Sequence, residues 1–425
     1  MSSPTAKFKP AESLTVTADG ALVGELTRVE GKGIYFTYDK EWLVKGFDLS
    51  PLTMTFDDKP QLARESRLFK GLHGPFADSL PDGWGLLLMD RFFDSTFGPG
   101  TSLTLSPLDR LAYMGDRAMG VFEYHPKAEK TAADPVNLAR LFEASVEVQQ
   151  GGTQQVLKGL RLAGGSPGGA RPKAIVALSH DLCTATSAFG QLASGCEHWI
   201  VKFRALDEPL EMGAIEEAYA VMAAQAGVGM AHTALLDVQV REGGVERFFA
   251  AKRFDRDGNR KIHMISVAAL VYADFRAPTM DYSQLLKLTS VLTKSAAEVE
   301  KMARLMIFNA VFHNYDDHTK NFAFLYLAPQ GGEPGRWTLT PAYDLTFSDG
   351  MGEHSTAFSG HGKPTRRVIQ EVCKDYKYLK PNEYIDQTLA ALDGWEQVLR
   401  ELKIPHVAGV AIHRVLNEAR KRFEP

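Results

Sequence analysis

The chain is poor in cysteine. Cys183, Cys196 and Cys373 are the three present in 425 residues, and no two form a C-x-x-C pair. This excludes a cysteine-based zinc framework and suits a reducing compartment. Long apolar runs are also missing. None approaches the ~18 residues that a membrane-spanning helix requires. The polar stretch Met1 to Glu12 lacks the apolar core of a signal peptide, so a cytoplasmic protein with no membrane partner is expected. Neither sign of charge dominates: a net charge of −4 and a pI near 6.3 argue against gripping nucleic acid by bulk charge, and a local basic face remains compatible with them. There is no internal repeat and no long low-complexity tract. What remains, 44% hydrophobic and 24% charged residues, describes a soluble globular chain with room for two or three domains.

From Ser13 to Phe56 the pattern is β-rich, with turns at Asp19-Gly20 and Gly31-Lys32-Gly33. Ser79 to Gly85 (S-L-P-D-G-W-G) reads as a packed turn before a helix that starts near Leu86, with Asp82 as its cap and Trp84 as its anchor. A further helix is expected over Pro107 to Tyr113 and a linker over His125 to Pro135. The next expected helix, Val136 to Leu162, is interrupted near Gly151-Gly152. Strands are expected at Ala174 to Leu178 and His198 to Phe203, and a hairpin over Leu235 to Lys252. From Ser266 onward helices dominate, including Ala296 to Phe312, Tyr384 to Leu402 and Val407 to Phe423.

The polar loop His313 to Asn321 lies between a helix and a strand, and its spacing Asp316-x-x-x-x-Asn321 is that of a protein-kinase catalytic loop. Other parts of a phosphoryl-transfer site precede and follow it in the order kinases use. Gly168 and Gly169 belong to a glycine-rich turn whose backbone N–H groups can approach phosphate oxygens. It is not a Walker A loop, since neither the spacing nor a following helix fits. Lys173 could add a point charge, and Lys202 ends a strand that resembles V-A-I-K. Glu216 or Glu217 could pair with Lys202, although a solvated carboxylate is the plainer expectation. Lys252 to Phe254 would form the crossover, with its backbone on adenine. Asp316 supplies a proton acceptor, and Asn321 with Asp344 supplies oxygens for Mg²⁺. Asp317 is expected to face solvent.

The motifs Ser79 to Gly85, Ser166 to Lys173 (S-P-G-G-A-R-P-K), Trp199 to Phe203, Arg253 to Arg256 (R-F-D-R), Asn314 to Asn321 (N-Y-D-D-H-T-K-N) and Pro341 to Leu345 (P-A-Y-D-L) together resemble the HipA family. These are bacterial serine/threonine kinases, the toxin half of type II toxin–antitoxin systems. The resemblance implies an α+β fold: a two-lobed protein-kinase-like core, with a mixed β N-lobe over 136–258 and a helical C-lobe over 262–425. A β-rich subdomain is added over 1–125. It implies ATP binding by Gly168, Gly169, Ala170, Arg171, Pro172, Lys173 and Lys202. Lys252, Arg253 and Phe254 would hold adenine, and His318, Lys320, Asn321, Tyr343 and Asp344 would line the rest of the site. Asp316 would be catalytic, and Asn321 and Asp344 would hold Mg²⁺. Ser166 matches the autophosphorylated serine, where added charge should expel the loop. Implied partners are a HipB-like helix-turn-helix antitoxin, through it operator DNA, and a protein substrate of the translation machinery.

Two other functions fit the same residues: a small-molecule or lipid kinase, and a co-repressor acting with a DNA-binding antitoxin. A metal-hydrolase set of His313, Asp316, Asp317 and His318 fits less well, because it leaves the glycine loop and Lys202 unexplained.

Overall fold

The computed structural model describes residues 8–64, 68–127, 135–152, 158–165, 168–241 and 243–424. Ser166 and most of the linker expected over His125 to Pro135 lie outside the described residues. Among the described residues, no helix is long and apolar enough to cross a membrane.

The N-terminal subdomain is built on an antiparallel sheet of strands β1 (Ser13–Ala18), β2 (Ala21–Val29), β3 (Gly33–Tyr38), β4 (Gln61–Leu62) and β5 (Phe122–His125), in the order β4-β3-β2-β1-β5. Asp19 and Gly20 both adopt positive φ, which a two-residue hairpin turn requires. Leu14, Val16 and Ala18, then Ile34, Phe36 and Tyr38, alternate onto the buried face. Helices α1 (Lys40–Lys45), α2 (Gly74–Ala77), α3 (Gly83–Phe97) and α4 (Pro107–Met114) complete the subdomain. Helix α4 starts from a Ser106/Asp109 capping box followed by proline.

Helices α5 (Leu138–Gln149) and α6 (Lys158–Ala163) precede the second sheet. Its strands are β6 (Lys173–Ser179), β7 (Ala185–Ser187), β8 (Cys196–Lys202), β9 (Thr233–Gln239) and β10 (Val245–Lys252), with antiparallel order β7-β6-β8-β10-β9. The register sets Lys173 directly opposite Lys202. Trp199, Val201, Phe203, Phe142 and Phe248 form the core on one face. Helix α7 (Met212–Gln225) crosses the other face. A Cβ at Gly213 would collide with the Arg247 carbonyl, so only glycine permits this close approach.

The chain leaves β10 through Arg253 and Asp255. Asp255 is fully buried between Arg253 (2.6 Å) and Arg256 (2.8 Å) and also accepts the Gly120 N–H at 2.7 Å. Burial pushes this carboxyl up, but the two guanidinium groups outweigh burial and hold it well below the usual range. The R-F-D-R motif therefore ties the crossover to the N-terminal subdomain.

A two-stranded ribbon, β11 (Arg256–Asp257) and β12 (Arg260–Lys261), leads from the crossover into the C-lobe. A three-stranded sheet follows, β13 (His263–Ser266), β14 (Ala323–Leu327) and β15 (Arg336–Leu339), paired in that order. The helices of this lobe are α8 (Val267–Val271), α9 (Tyr282–Thr293), α10 (Ala296–Val311), α11 (Arg366–Cys373), α12 (Pro381–Asp393), α13 (Trp395–Glu401) and α14 (His406–Arg420). From Leu305 to Val311 every residue of α10 is buried, making it the central helix. Each large apolar side chain there contributes about 1.5–3 kcal/mol by leaving water. The helix expected over Tyr384 to Leu402 is two helices, α12 and α13, divided at Gly394.

Candidate active site

Helix α10 delivers the polar loop into the cleft between the lobes. Tyr219 on α7 fixes the point of delivery, its hydroxyl donating to the Phe312 carbonyl at 2.8 Å. Beyond it the two adjacent acids diverge. Asp316 points into the cleft, with 54% of its side chain exposed and His318 Nε2 3.8 Å away. The surrounding walls, then Asp344 and Asp317, push its carboxyl up against the pull of His318. Asp317 is fully buried, so the expectation that it faces solvent is corrected. Its carboxylate accepts from Tyr282 Oη at 2.7 Å, His354 Nδ1 at 2.8 Å and Thr356 N at 3.1 Å. The network continues from Tyr282 through Asn309 to Asn314. A buried carboxylate with this many donors is a scaffold, and its place among them leaves no room for the metal-hydrolase set. His313 is likewise committed, to Asp349 at 3.0 Å, and no group of three acidic, histidine or cysteine ligands occurs among the described residues.

Asn321 closes a single 3₁₀ turn, Thr319–Asn321, and donates from its Nδ2 to the Asp316 carbonyl at 2.7 Å. That bond leaves the Asn321 Oδ1 as a free oxygen ligand. Asp344, at φ +57°, brings a carboxylate that would give a second oxygen. One carboxylate plus one amide oxygen is the sparse donor set that Mg²⁺ accepts when phosphates and water complete its shell.

Lys202 is the cationic centre of the cleft. Its Nζ lies 2.9 Å from Glu216 Oε1 on α7 and is ion-paired with Asp344. Glu216 is buried and paired, which corrects the expectation of a solvated carboxylate; Arg171 meets the same Oε1 at 2.7 Å and also binds Glu208 at 3.0 Å. Burial alone would depress Lys202, but Asp344 and Glu216 outweigh it and raise its pKa. Burial would raise Asp344, but Lys202 and then Lys173 hold it well below the carboxylate range. Lys173 has less compensation. Burial dominates, with Lys202 opposite adding repulsion, and its pKa falls to about 8 despite Asp344.

The glycine loop reaches this centre from above. Gly169 adopts φ +95°, and Lys173 donates to the Gly168 carbonyl. The loop also touches the N-terminal subdomain. Asp82 stands at the N-cap of α3, yet its carboxylate makes no cap bond, which corrects the expected role. It accepts instead from Gly169 N at 2.5 Å and from Lys320 Nζ at 2.7 Å. The S-L-P-D-G-W-G motif contained this residue; nothing in its spacing showed that the side chain leaves its own helix.

One cavity of about 490 Å³ joins these parts. It is lined by Gly168, Gly169, Ala170, Lys173, Lys202, Lys252, Arg253, Phe254, Asp316, His318, Lys320, Asn321, Tyr343 and Asp344. Arg171 and Pro172 stand outside its wall, and Pro172 instead accepts the Phe203 N–H at 2.9 Å. The Lys252 and Arg253 amides are spent on the His232 and His198 carbonyls, at 2.8 Å each, and the Arg253 guanidinium on Asp255. Phe254 packs 5.6 Å from the Tyr343 ring, and Tyr343 donates to the Lys320 carbonyl at 2.6 Å. Phe275, which the sequence did not single out, lies edge-to-face with His318 (5.6 Å) and beneath the Lys320 ammonium (4.4 Å).

A sheet lobe carrying a glycine loop, a lysine–glutamate pair and a helical lobe with acids facing the cleft define a two-lobed kinase-like fold with an added N-terminal subdomain. The chain belongs to the HipA family: the HipA N-terminal domain matches residues 14–125 and the HipA-like C-terminal domain matches residues 165–399. "Putative kinase Y4mE" of Sinorhizobium fredii is 27% identical over 365 residues, 78% of this chain and 76% of that protein. "Putative kinase Y4dM" of the same organism is 30% identical over 158 residues, 35% of this chain and 36% of that protein, so that match spans about a third of its length. HipA of Shewanella oneidensis MR-1, solved with HipB and its operator DNA, superimposes with a TM-score of 0.67. It does so at 17% identity, over 96% of this chain and 97% of that one.

Proposed function

We propose that the protein is an ATP- and Mg²⁺-dependent serine/threonine protein kinase, the toxin component of a toxin–antitoxin module. The observation that carries this reading is Lys202 bridging Glu216 and Asp344 in the cavity that also receives Asp316 and Asn321. Lys202, Lys173 and the loop amides would bind the phosphates. Asn321 and Asp344 would hold Mg²⁺, whose charge offsets that of the transferred phosphoryl group. Asp316 would orient the acceptor hydroxyl and take its proton. Its exposure and raised pKa suit a group that must meet an incoming side chain.

Further parts of the proposal are a cytoplasmic location, a target in the translation machinery, autophosphorylation at Ser166 and a HipB-like antitoxin that joins the protein to operator DNA. Family membership supports them, as does the HipB–DNA assembly of the Shewanella relative. The decisive test is γ-phosphate transfer from labelled ATP to lysate proteins and to the protein itself. Wild type should transfer and Asp316→Ala should not; equal labelling by both would overturn the assignment.

A further inference from the structure

We propose that Asp82, a residue of the N-terminal subdomain, is a positioning residue that latches the glycine loop and Lys320 over the cleft. The inference rests on the nucleotide-site reading above and adds a part from outside the two kinase lobes.

Three observations converge on it. First, the carboxylate bridges two separate elements of the site, the Gly169 amide and the Lys320 ammonium. It does so from an N-cap position where an aspartate would ordinarily satisfy its own helix. Second, the first turn of that helix faces the loop as well: Trp84 N donates to the Gly169 carbonyl at 3.2 Å. The loop residue is thus held through both its N–H and its C=O. Third, the fit is steric. A Cβ on Gly83, which sits at φ +41°, would lie 2.5 Å from the Gly169 carbonyl oxygen and 2.7 Å from Ala170 Cα. One on Gly85 would lie 2.5 Å from the Gly165 carbonyl oxygen. The two glycines of P-D-G-W-G are therefore the surface on which the loop rests.

The glycine pair, Gly168 and Gly169, has no side chains with which to order itself, and glycine loses the most conformational freedom on being fixed. Lys173 ties the Gly168 carbonyl, Arg171 and Pro172 anchor the C-terminal end of the loop on Glu216, Glu208 and Phe203, and Gly169 is held by the Asp82 turn. The charges agree with the latch. Burial would raise Asp82, but Lys320, then the loop amide and Lys173, outweigh it and keep the carboxylate ionised. A partner that moves the N-terminal subdomain would thereby move the loop.

The test compares full-length wild type, Asp82→Ala and Asp82→Asn. It measures amide hydrogen exchange over 164–173, ATP KM against kcat, and affinity for Mg²⁺–ADP by calorimetry. Asp82→Ala should speed exchange in the loop and raise the ATP KM about tenfold or more, the expectation for losing a charge-assisted bond. Asp82→Asn should keep part of the loop protection, because its carbonyl still accepts from Gly169, and lose the hold on Lys320. Unchanged exchange and affinity in Asp82→Ala would overturn the latch. So would tighter nucleotide binding, which would make Asp82 a competitor for the phosphate donors. Faster exchange confined to the strands of residues 13–125, with KM unmoved, would reduce it to a folding role. If wild type bound no nucleotide, the kinase reading would fail while loop exchange still judged the latch.

Discussion

His354 Nδ1 lies 2.8 Å from Oδ2 of Asp317, and both side chains are shut off from solvent. The pair joins two segments that sequence separates: the loop carrying Asp316 and the stretch that follows Asp344. Thr356 reinforces the junction, its N–H and hydroxyl both bonding to Asp317. The geometry of Asp316 thus depends on its neighbour, whose side chain points the other way.

Asp317→Asn should show this dependence. The amide keeps the volume but turns an NH₂ onto one of three donors, and a buried donor left unpaired costs about 1–3 kcal/mol. Urea unfolding should report that loss. Transfer assays should report a lower kcat with the ATP KM nearly unchanged, because no nucleotide contact is altered. Wild-type kcat in this variant would show that the network does not position Asp316.

The order of the site was legible before the fold, because each part depends on a local pattern: glycines in a turn, a lysine ending an apolar strand, Asp-x4-Asn after a helix. Directions were not legible. Asp316 and Asp317 are adjacent acids in an irregular loop, where no periodicity assigns a face; the choice is made by Tyr282 and His354, 35 and 37 residues away. Glu216 and Glu217 are told apart by the seat of α7 on β10, where Gly213 allows the close approach, and by their partners: Glu216 meets Lys202 and Arg171, Glu217 meets Thr233. Strand β13, four residues long, was too short to stand out; its pairing with β14 makes it a strand.

Ser166 stands two residues before Gly168. Phosphate there would add close to two negative charges beside the donors that ATP requires, and those charges would compete for the same amides and lysines. Mass spectrometry after incubation with ATP should find one phosphate on the Ser166 peptide in wild type and none in Asp316→Ala. Ser166→Asp should bind Mg²⁺–ADP more weakly than Ser166→Ala. Equal affinities, or a Ser166 peptide without phosphate, would remove this control.

Lys173 gives the site a pH response. Its pKa is lowered from 10.5 to about 8, chiefly by burial. Phosphate binding needs the charged form, so ATP affinity should hold at neutral pH and weaken as pH rises through about 8. The limit is about tenfold per pH unit for one coupled proton. Lys173→Arg keeps its charge throughout this range and should flatten the profile. Stability without nucleotide runs the opposite way. Between about 8 and 10.5 the unfolded chain binds the proton that the folded chain has released, so folding becomes more favourable as pH rises through that window. Thermal midpoints of wild type relative to Lys173→Met should therefore climb across it in the free protein. Saturating ATP should reduce the climb, because the phosphates restore the proton. A wild-type affinity profile as flat as that of the arginine variant would place the phosphate charge on Lys202 alone.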